Sequence, residues 1–523
     1  MLHNRIEEYL LQKSGEPKAK EGEATVVVSD AVSVLSFYYE KIRNVMEYAD
    51  DHLLRQMAIR RILGRRSMFG QDAGAIAGPL VRELVRSRYV ANNTLPQTII
   101  KDVERILTFY FAILTGLKRE RLLDNKHQDW VLHMASCAID EILSPMTAEE
   151  ALARVMADVL MPSLEKSSPS TDPRVKKGQL LIACYRILFR PNIHRLQFFL
   201  LKQSFGALLS ESPQGILARA RECADAHKAV DAAISYPLNG KLQRTFRRFR
   251  VSFIVLHTIV RRFGKSALDD ASALDEHVSK VCEKMYALQR GRLIGRTVRA
   301  FVYIFLTKMV LGFSVEIPYD LFSVKHVKMQ PLILNVVIPP VILALISFTV
   351  RMPGKDNTLA IAQAVREIVY PDTKQTIFIP EKISFRKRGM GLSIVFNMLY
   401  GVLSAISIGL FAWLLMKFDF NIVSGIILFF FLSLVMFFGI TLRKMINDLV
   451  IVRRRERFLW LFISQFFDPI MRLGQWLSFK IARINVLIFL FDMLIELPFQ
   501  AFVDITEEWF SFMKEKKEDL EQR

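Results

Sequence analysis

Cysteine is scarce in this chain. Cys137, Cys184, Cys223 and Cys282 are the only four in 523 residues, and no two form a CxxC pair. That spacing excludes a zinc ribbon or a dithiol redox motif and suits a reducing compartment. Histidine is sparse as well, with nine scattered copies, and no HExxH occurs. The Gly- and Ala-rich run GQDAGAIAGP, residues 70–79, is followed by no GK[ST] and preceded by no strand, so it is not a phosphate-binding loop. We read it as a loop or a close helix approach. Convincing apolar–polar alternation is missing throughout, which argues against a sheet protein. The opening MLHNRIEEYLLQKSGEPKAK has no apolar h-region, so no cleaved signal peptide is expected. Pro and Gly punctuate the first half at uneven intervals, so no helical repeat is predicted.

What the chain does have is long uncharged runs. Between Arg388 and Lys417 lie 28 residues without a charge, and between Asp419 and Arg443 lie 23 more. Each exceeds the roughly 20 apolar residues needed to cross about 30 Å of hydrocarbon. Lipid forces such segments to be helical, because each backbone polar group must be satisfied internally. Only Lys417, Phe418 and Asp419 separate the runs, so they predict an antiparallel hairpin. Residues 330–350 form a third uncharged run. Residues 300–315 form a marginal fourth, interrupted by Lys308, which is expected to snorkel or to face another helix.

Charge divides the chain. Residues 1–290 carry 43 Lys+Arg against 33 Asp+Glu, and residues 291–523 carry 28 against 19. The net +19 favours anionic partners, and for a membrane chain the expected ones are acidic lipid headgroups, with nucleic acid unlikely. The loop 351–388 holds eight Lys+Arg against four Asp+Glu, and a second basic group runs from Arg443 to Arg457. The positive-inside rule places both in the cytoplasm. With 300–315 counted as a crossing, the chain has four spans and both termini are cytoplasmic.

The first half shows helical periodicity. Val34, Phe37, Tyr38, Ile42, Val45, Met46, Ala49, Leu53 and Leu54 recur at three- and four-residue steps. Arg60, Arg61, Arg65 and Arg66 close that stretch and read as a solvated helix end. Thr147 and Glu150 predict a capping box. The expected organisation is a flexible segment 1–23 and an all-helical cytosolic domain 24–290, with a possible lobe boundary at 163–178. A membrane domain 291–442 follows, with spans at 300–315, 330–350, 389–416 and 420–442. Interfacial or re-entrant helices and a charged helix fill 443–523. The fold class is all-α, a soluble helical bundle followed by a polytopic α-helical membrane domain.

Candidate sites are few. Asp129, His133, Cys137 and Glu141 recur at four-residue steps, but such steps spread ligands about 6 Å apart along the axis. We read them as a polar helix border, and no metal or cofactor is predicted. Lys241–Arg250 interleaves five cations with Phe246 and Phe249. Arg244, Arg247 and Arg248 there, with Arg386, Lys387 and Arg388 and with Arg453, Arg454 and Arg455, are the candidate headgroup contacts. Within the membrane, Asn335 with Pro339 and Pro340 interrupts the second span, and Asp492 with Glu496 places two carboxylates on one face of an apolar segment. The loop helix bearing Leu359, Ile361, Ala362, Val365, Ile368 and Val369 is amphipathic and is expected on the membrane or on the helical domain. No catalytic signature appears. The expected role is interaction or scaffolding through an unidentified protein partner. The alternatives are a transporter or channel using the second span and Asp492 with Glu496, or an enzyme acting on a lipid-linked substrate.

Overall fold

A computed structural model of the chain describes residues 19–28, 51–68, 72–167, 172–323, 328–370, 390–452 and 467–478, with isolated positions elsewhere. Among the described residues there is no strand, and a single isolated bridge joins Thr25 to Pro96. The protein is all-α. Two compact units divide it, one built chiefly from Thr245–Ile484 and the other from Glu7–Asp158 with Thr171–Arg244.

The second of these units holds α1 (Asp51–Met68), α2 (Ala73–Arg86), α3 (Thr98–Arg119), α4 (Asn125–Leu143) and the first part of α5 (Thr147–Ser167). It continues with α6 (Pro173–Phe189), α7 (Ile193–Ser204), α8 (Gly206–Leu209), α9 (Pro213–Ala218), α10 (Ala220–Ser235) and most of α11 (Pro237–Phe246). α3 is its axis. Ile99, Val103, Leu107, Tyr110, Ile113 and Leu117, three or four apart, form its buried stripe against α2, α4, α9 and α10. Residues 73–79 are the start of α2, not a loop. The Asp72 carboxylate accepts from the Ala75 N–H at 2.8 Å, and the Gly–Ala run continues as regular helix.

Charges that the sequence offers as solvated are paired within this unit. Arg60 binds Asp129, Arg61 binds Glu40, and Arg65 and Arg66 share Glu83. Arg195 is buried and bridges Asp140 at 3.1 Å and Glu141 at 2.7 Å. Glu150 meets the Lys202 ammonium at 2.8 Å. The row on α4 is thus spoken for residue by residue. Asp129 and Glu141 lie in ion pairs, His133 stacks flat on His194 with ring centroids 3.4 Å apart, and Cys137 is buried. Burial pushes the Cys137 thiol up to about 12, so it stays protonated and inert.

The other unit contains the long apolar helices. After α12 (Arg250–Phe263) comes α13 (Ala271–Leu311), 41 residues long and so about 60 Å. It passes through a π-helical turn, Gly312–Glu316, into α14 (Ile317–Ser323). Then follow α15 (Met329–Thr349), α16 (Lys355–Val369), α17 (Met390–Lys417) and α18 (Ile422–Asn447). Among the described residues four helices are long and apolar enough to cross a membrane: the α13–α14 helix, α15, α17 from Ile394, and α18. The marginal 300–315 run is therefore the middle of a much longer helix that begins among polar residues.

α15 is the hub of the apolar bundle, packed between α13 and α18. Ile304, Leu343, Phe431 and Val435 form its buried centre. Pro339 and Pro340 do not break α15, which runs unbroken from Met329 to Thr349. The neighbouring helices hold the turn that loses its hydrogen bonds. α18 lies close because Gly439 has no side chain: a Cβ there would sit 2.7 Å from Ile346 Cγ2. α17 leaves Val395, Met398, Leu399, Val402, Ile406 and Met416 exposed. A continuous apolar surface of that extent calls for lipid or a partner.

Three helix ends meet at one end of this bundle. α16 packs on α12 and α13, burying Ile361, Ala362, Val365, Ile368 and Val369 while Leu359 stays exposed. Arg366 donates to Asp275 at 2.7 Å, and the Asn357 amide donates to Tyr286 Oη at 2.9 Å. Asn357 also joins the exit of α18, donating to the Leu449 carbonyl at 2.8 Å and accepting from the Ile451 N–H at 2.9 Å. Arg247 donates to Asp448 at 2.8 Å. The entry of α13, the exit of α15 and the exit of α18 are thereby tied together. The α14–α15 and α17–α18 connections occupy the other end, joined by Lys328 Nζ donating to the Asp419 carbonyl at 3.1 Å.

Candidate functional site

A polar cluster lies between the apolar helices on the side of the α14–α15 connection. Lys308 is fully buried, as is Asn335, and Glu316, Asp320 and Ser424 are nearly so. An ionisable group inside such a bundle costs about 3 kcal/mol or more by insertion scales, so it marks a site.

Helix geometry assembles it. Residues eight apart on a regular α-helix differ by about 80° around the axis, which would turn Glu316 away from Lys308. The π turn at Gly312–Glu316 winds less per residue and brings Glu316 back to the same face. Asp320, one further turn along, follows it. Asn335 is the hub opposite. Its Oδ1 accepts from Lys308 Nζ, and its Nδ2 donates to Glu316 Oε1 at 2.6 Å and to the Ser424 carbonyl at 3.1 Å. The Ser424 hydroxyl donates to Glu316 Oε2 at 3.3 Å, and Lys308 Nζ lies 3.9 Å from Glu316. Lys308 also sits over the Phe431 ring, 4.7 Å from its centroid.

A second layer leads outward. Asn421 caps α18, its Oδ1 accepting from the Ser424 N–H at 2.7 Å, and its amide donates to Asp320 Oδ1. The Lys328 N–H donates to Asp320 Oδ2 at 3.0 Å. The Lys328 ammonium lies 3.6 Å from Asp419, whose side chain is 82% exposed. The path is polar from Lys308 to solvent. In the other direction the buried Ile304, Leu343, Phe431 and Val435 follow.

The sequence-predicted residues distribute unevenly. Asn335 enters the cluster, while Pro339 and Pro340 are buried in α15 beyond it, where their missing N–H groups leave the Asn335 and Val336 carbonyls without helical donors. Lys308 does not snorkel; it faces Asn335 and Glu316. Glu316, Asp320, Asn421 and Ser424 escape a sequence reading that ends the first span at Val315. The acid pair at a four-residue step, Glu316 and Asp320, is the signal that was there to find. Arg244 is exposed, Arg247 is taken by Asp448, and Arg248 stacks over the Phe249 ring at 4.7 Å. Phe246 and Phe249 are buried, Phe249 against Phe378 at 4.9 Å, so these rings do not dip into a membrane interface. Asp492, Glu496, Arg386, Lys387, Arg388, Arg453, Arg454 and Arg455 lie outside the described residues. Among the described residues no group of three or more His, Cys, Asp or Glu is placed to hold a metal ion.

The chain matches no protein-family profile, no curated protein and no solved structure.

Proposed function

We propose that this is a polytopic integral membrane protein acting as an interaction platform on the cytoplasmic face. The observation that carries the reading is the combination of four long apolar helices among the described residues with a compact unit of shorter, amphipathic helices. A partner protein bound through residues 24–290 is thereby kept at the membrane. The basic loop 351–388 and the arginines after α18 put this end in the cytoplasm. Arg244, the cluster Arg386, Lys387 and Arg388, and the cluster Arg453, Arg454 and Arg455 contact anionic headgroups there, each worth about 1 kcal/mol near the surface.

Orientation and partner are testable separately. With the four native cysteines replaced, a single cysteine at Asp419 should react with an impermeant maleimide from outside sealed cells, and one at Asp356 should react only after lysis. The reverse pattern inverts the topology. Crosslinking in native membranes through residues 24–290 should recover one stoichiometric protein partner. Recovery of lipid alone would remove the platform role while leaving the topology standing. Transport is a second reading and draws on the buried polar cluster, since α15 is unbroken. Flux in proteoliposomes that disappears with Lys308→Met would favour it.

A further inference from the structure

We propose that the cluster at Lys308 is a proton-binding site and that Glu316 holds the proton. This is independent of partner binding. Charge counting carries it. Among the described residues the buried cluster contains one cation, Lys308, and two carboxyl groups, Glu316 and Asp320, each at most 4% exposed. The cations nearest in sequence do not complete the balance. Lys328 turns its ammonium to Asp419, and Lys325 and Lys417 are exposed in the two connections, Lys417 over the Trp413 ring. With both carboxyl groups ionised, one net negative charge would be buried among apolar helices, a state far costlier than taking up one positive charge.

That positive charge is a proton, on grounds of donor geometry. A metal cation needs several oxygens converging on one point. Here the four carboxyl oxygens diverge, each accepting from a different group: Asn335 Nδ2, Ser424 Oγ, Asn421 Nδ2 and the Lys328 N–H. A proton needs only one lone pair. Asp320 is the poorer host, because its partners are an amide and a backbone N–H, which donate and cannot accept. Glu316 Oε2 faces a hydroxyl, which can do either. On protonation hydronium at the connection end gives up its proton and becomes water, an O–H bond forms at Glu316 Oε2, and Ser424 Oγ turns from donor to acceptor. Lys308 and Asp320 are then the one remaining pair of opposite charges. The polar path to Asp419 and the apolar residues Ile304, Leu343, Phe431 and Val435 on the other side make the α14–α15 connection the face from which the proton enters.

Infrared difference spectroscopy on the full-length protein in nanodiscs reads the site directly. A carboxylic-acid C=O stretch should be present at neutral pH, shift in D2O and bleach as pH rises. It should be lost in Glu316→Gln, be lost also in Asp320→Asn, where Lys308 alone balances the one remaining carboxylate, and change frequency without loss in Ser424→Ala, where its acceptor is gone. Absence of the band from the wild-type protein overturns the proposal, and so does a band that persists unchanged in Glu316→Gln. A band that survives in Asp320→Asn overturns the charge count on which the proposal rests, and a band unmoved in Ser424→Ala overturns the assignment to Glu316. Should Glu316→Gln fail to fold, the frequency change in Ser424→Ala decides, and an unmoved band there counts against Glu316.

Discussion

At the scale of single residues, burial converts ordinary side chains into ones with consequences. Among the described residues Lys308 is the only buried cation of its cluster, and Lys308→Met should cost about 3–5 kcal/mol, the range for removing one member of a buried pair. Glu316→Gln keeps the shape and the acceptor for Asn335, and should cost much less. Thermal unfolding of the two detergent-solubilised variants, compared with wild type, checks the ordering; equal losses would mean that Lys308 does not balance buried charge. In the other unit, His133 stacks on His194 with burial as the main cause of its low pKa, about 3 against an ordinary 6.5, followed by the neighbouring His194 and Arg60. The folded state therefore keeps His133 neutral where the unfolded chain takes up a proton. Stability present above about pH 6.5 is lost as pH falls from there toward 3. Protection factors for hydrogen exchange across α4, corrected for the intrinsic rate, should fall between pH 7 and 5, and His133→Gln should flatten that dependence. A His133→Gln variant with the wild-type slope would assign the effect to another group.

At the scale of elements, α13 runs from polar residues into the first long apolar segment, and its composition is not optimal for stiffness. Gly291 and Gly295 lie in its interior with nothing within 4 Å of an added Cβ. Replacing each by Ala should stabilise the helix by about 1 kcal/mol, since nothing clashes and backbone entropy is saved. A raised unfolding midpoint in the double variant is the expected reading. A fall would show that the helix must bend there. α15 and α18 present the opposite case. Gly439→Leu puts carbon where Ile346 already stands, and should cost about 1–3 kcal/mol as overpacking. Helices at these places were readable from run length and periodicity, and the Pro339–Pro340 pair was not an exception. What periodicity could not supply was the π turn, because its effect is to rotate Glu316 relative to Lys308, which no local pattern encodes.

At the scale of the whole molecule, four long apolar helices among the described residues, together with shorter amphipathic ones, account for a chain that is half hydrophobic and one-quarter charged. Carbonate washing should leave the full-length chain in the membrane pellet, and its release would remove the membrane reading altogether. The tie of α16 and the α18 exit to α13 requires an even number of crossings between them, consistent with four.

The sequence by itself determined the solvent of each part. Run length against bilayer thickness and the absence of strand alternation suffice for an all-α chain with four apolar helices, because these are local properties. Only the tertiary structure decided what the polar residues do. Arg60, Arg61 and Arg65 look solvated in sequence and are paired, Lys308 could snorkel or face another helix and does the latter, and Phe246 and Phe249, which could face lipid or a helix bundle, are buried. Each outcome depends on a partner 18 to 69 residues away or farther. A pairing over such distances is set by how whole helices pack, and not by anything within a turn or two of the residue itself.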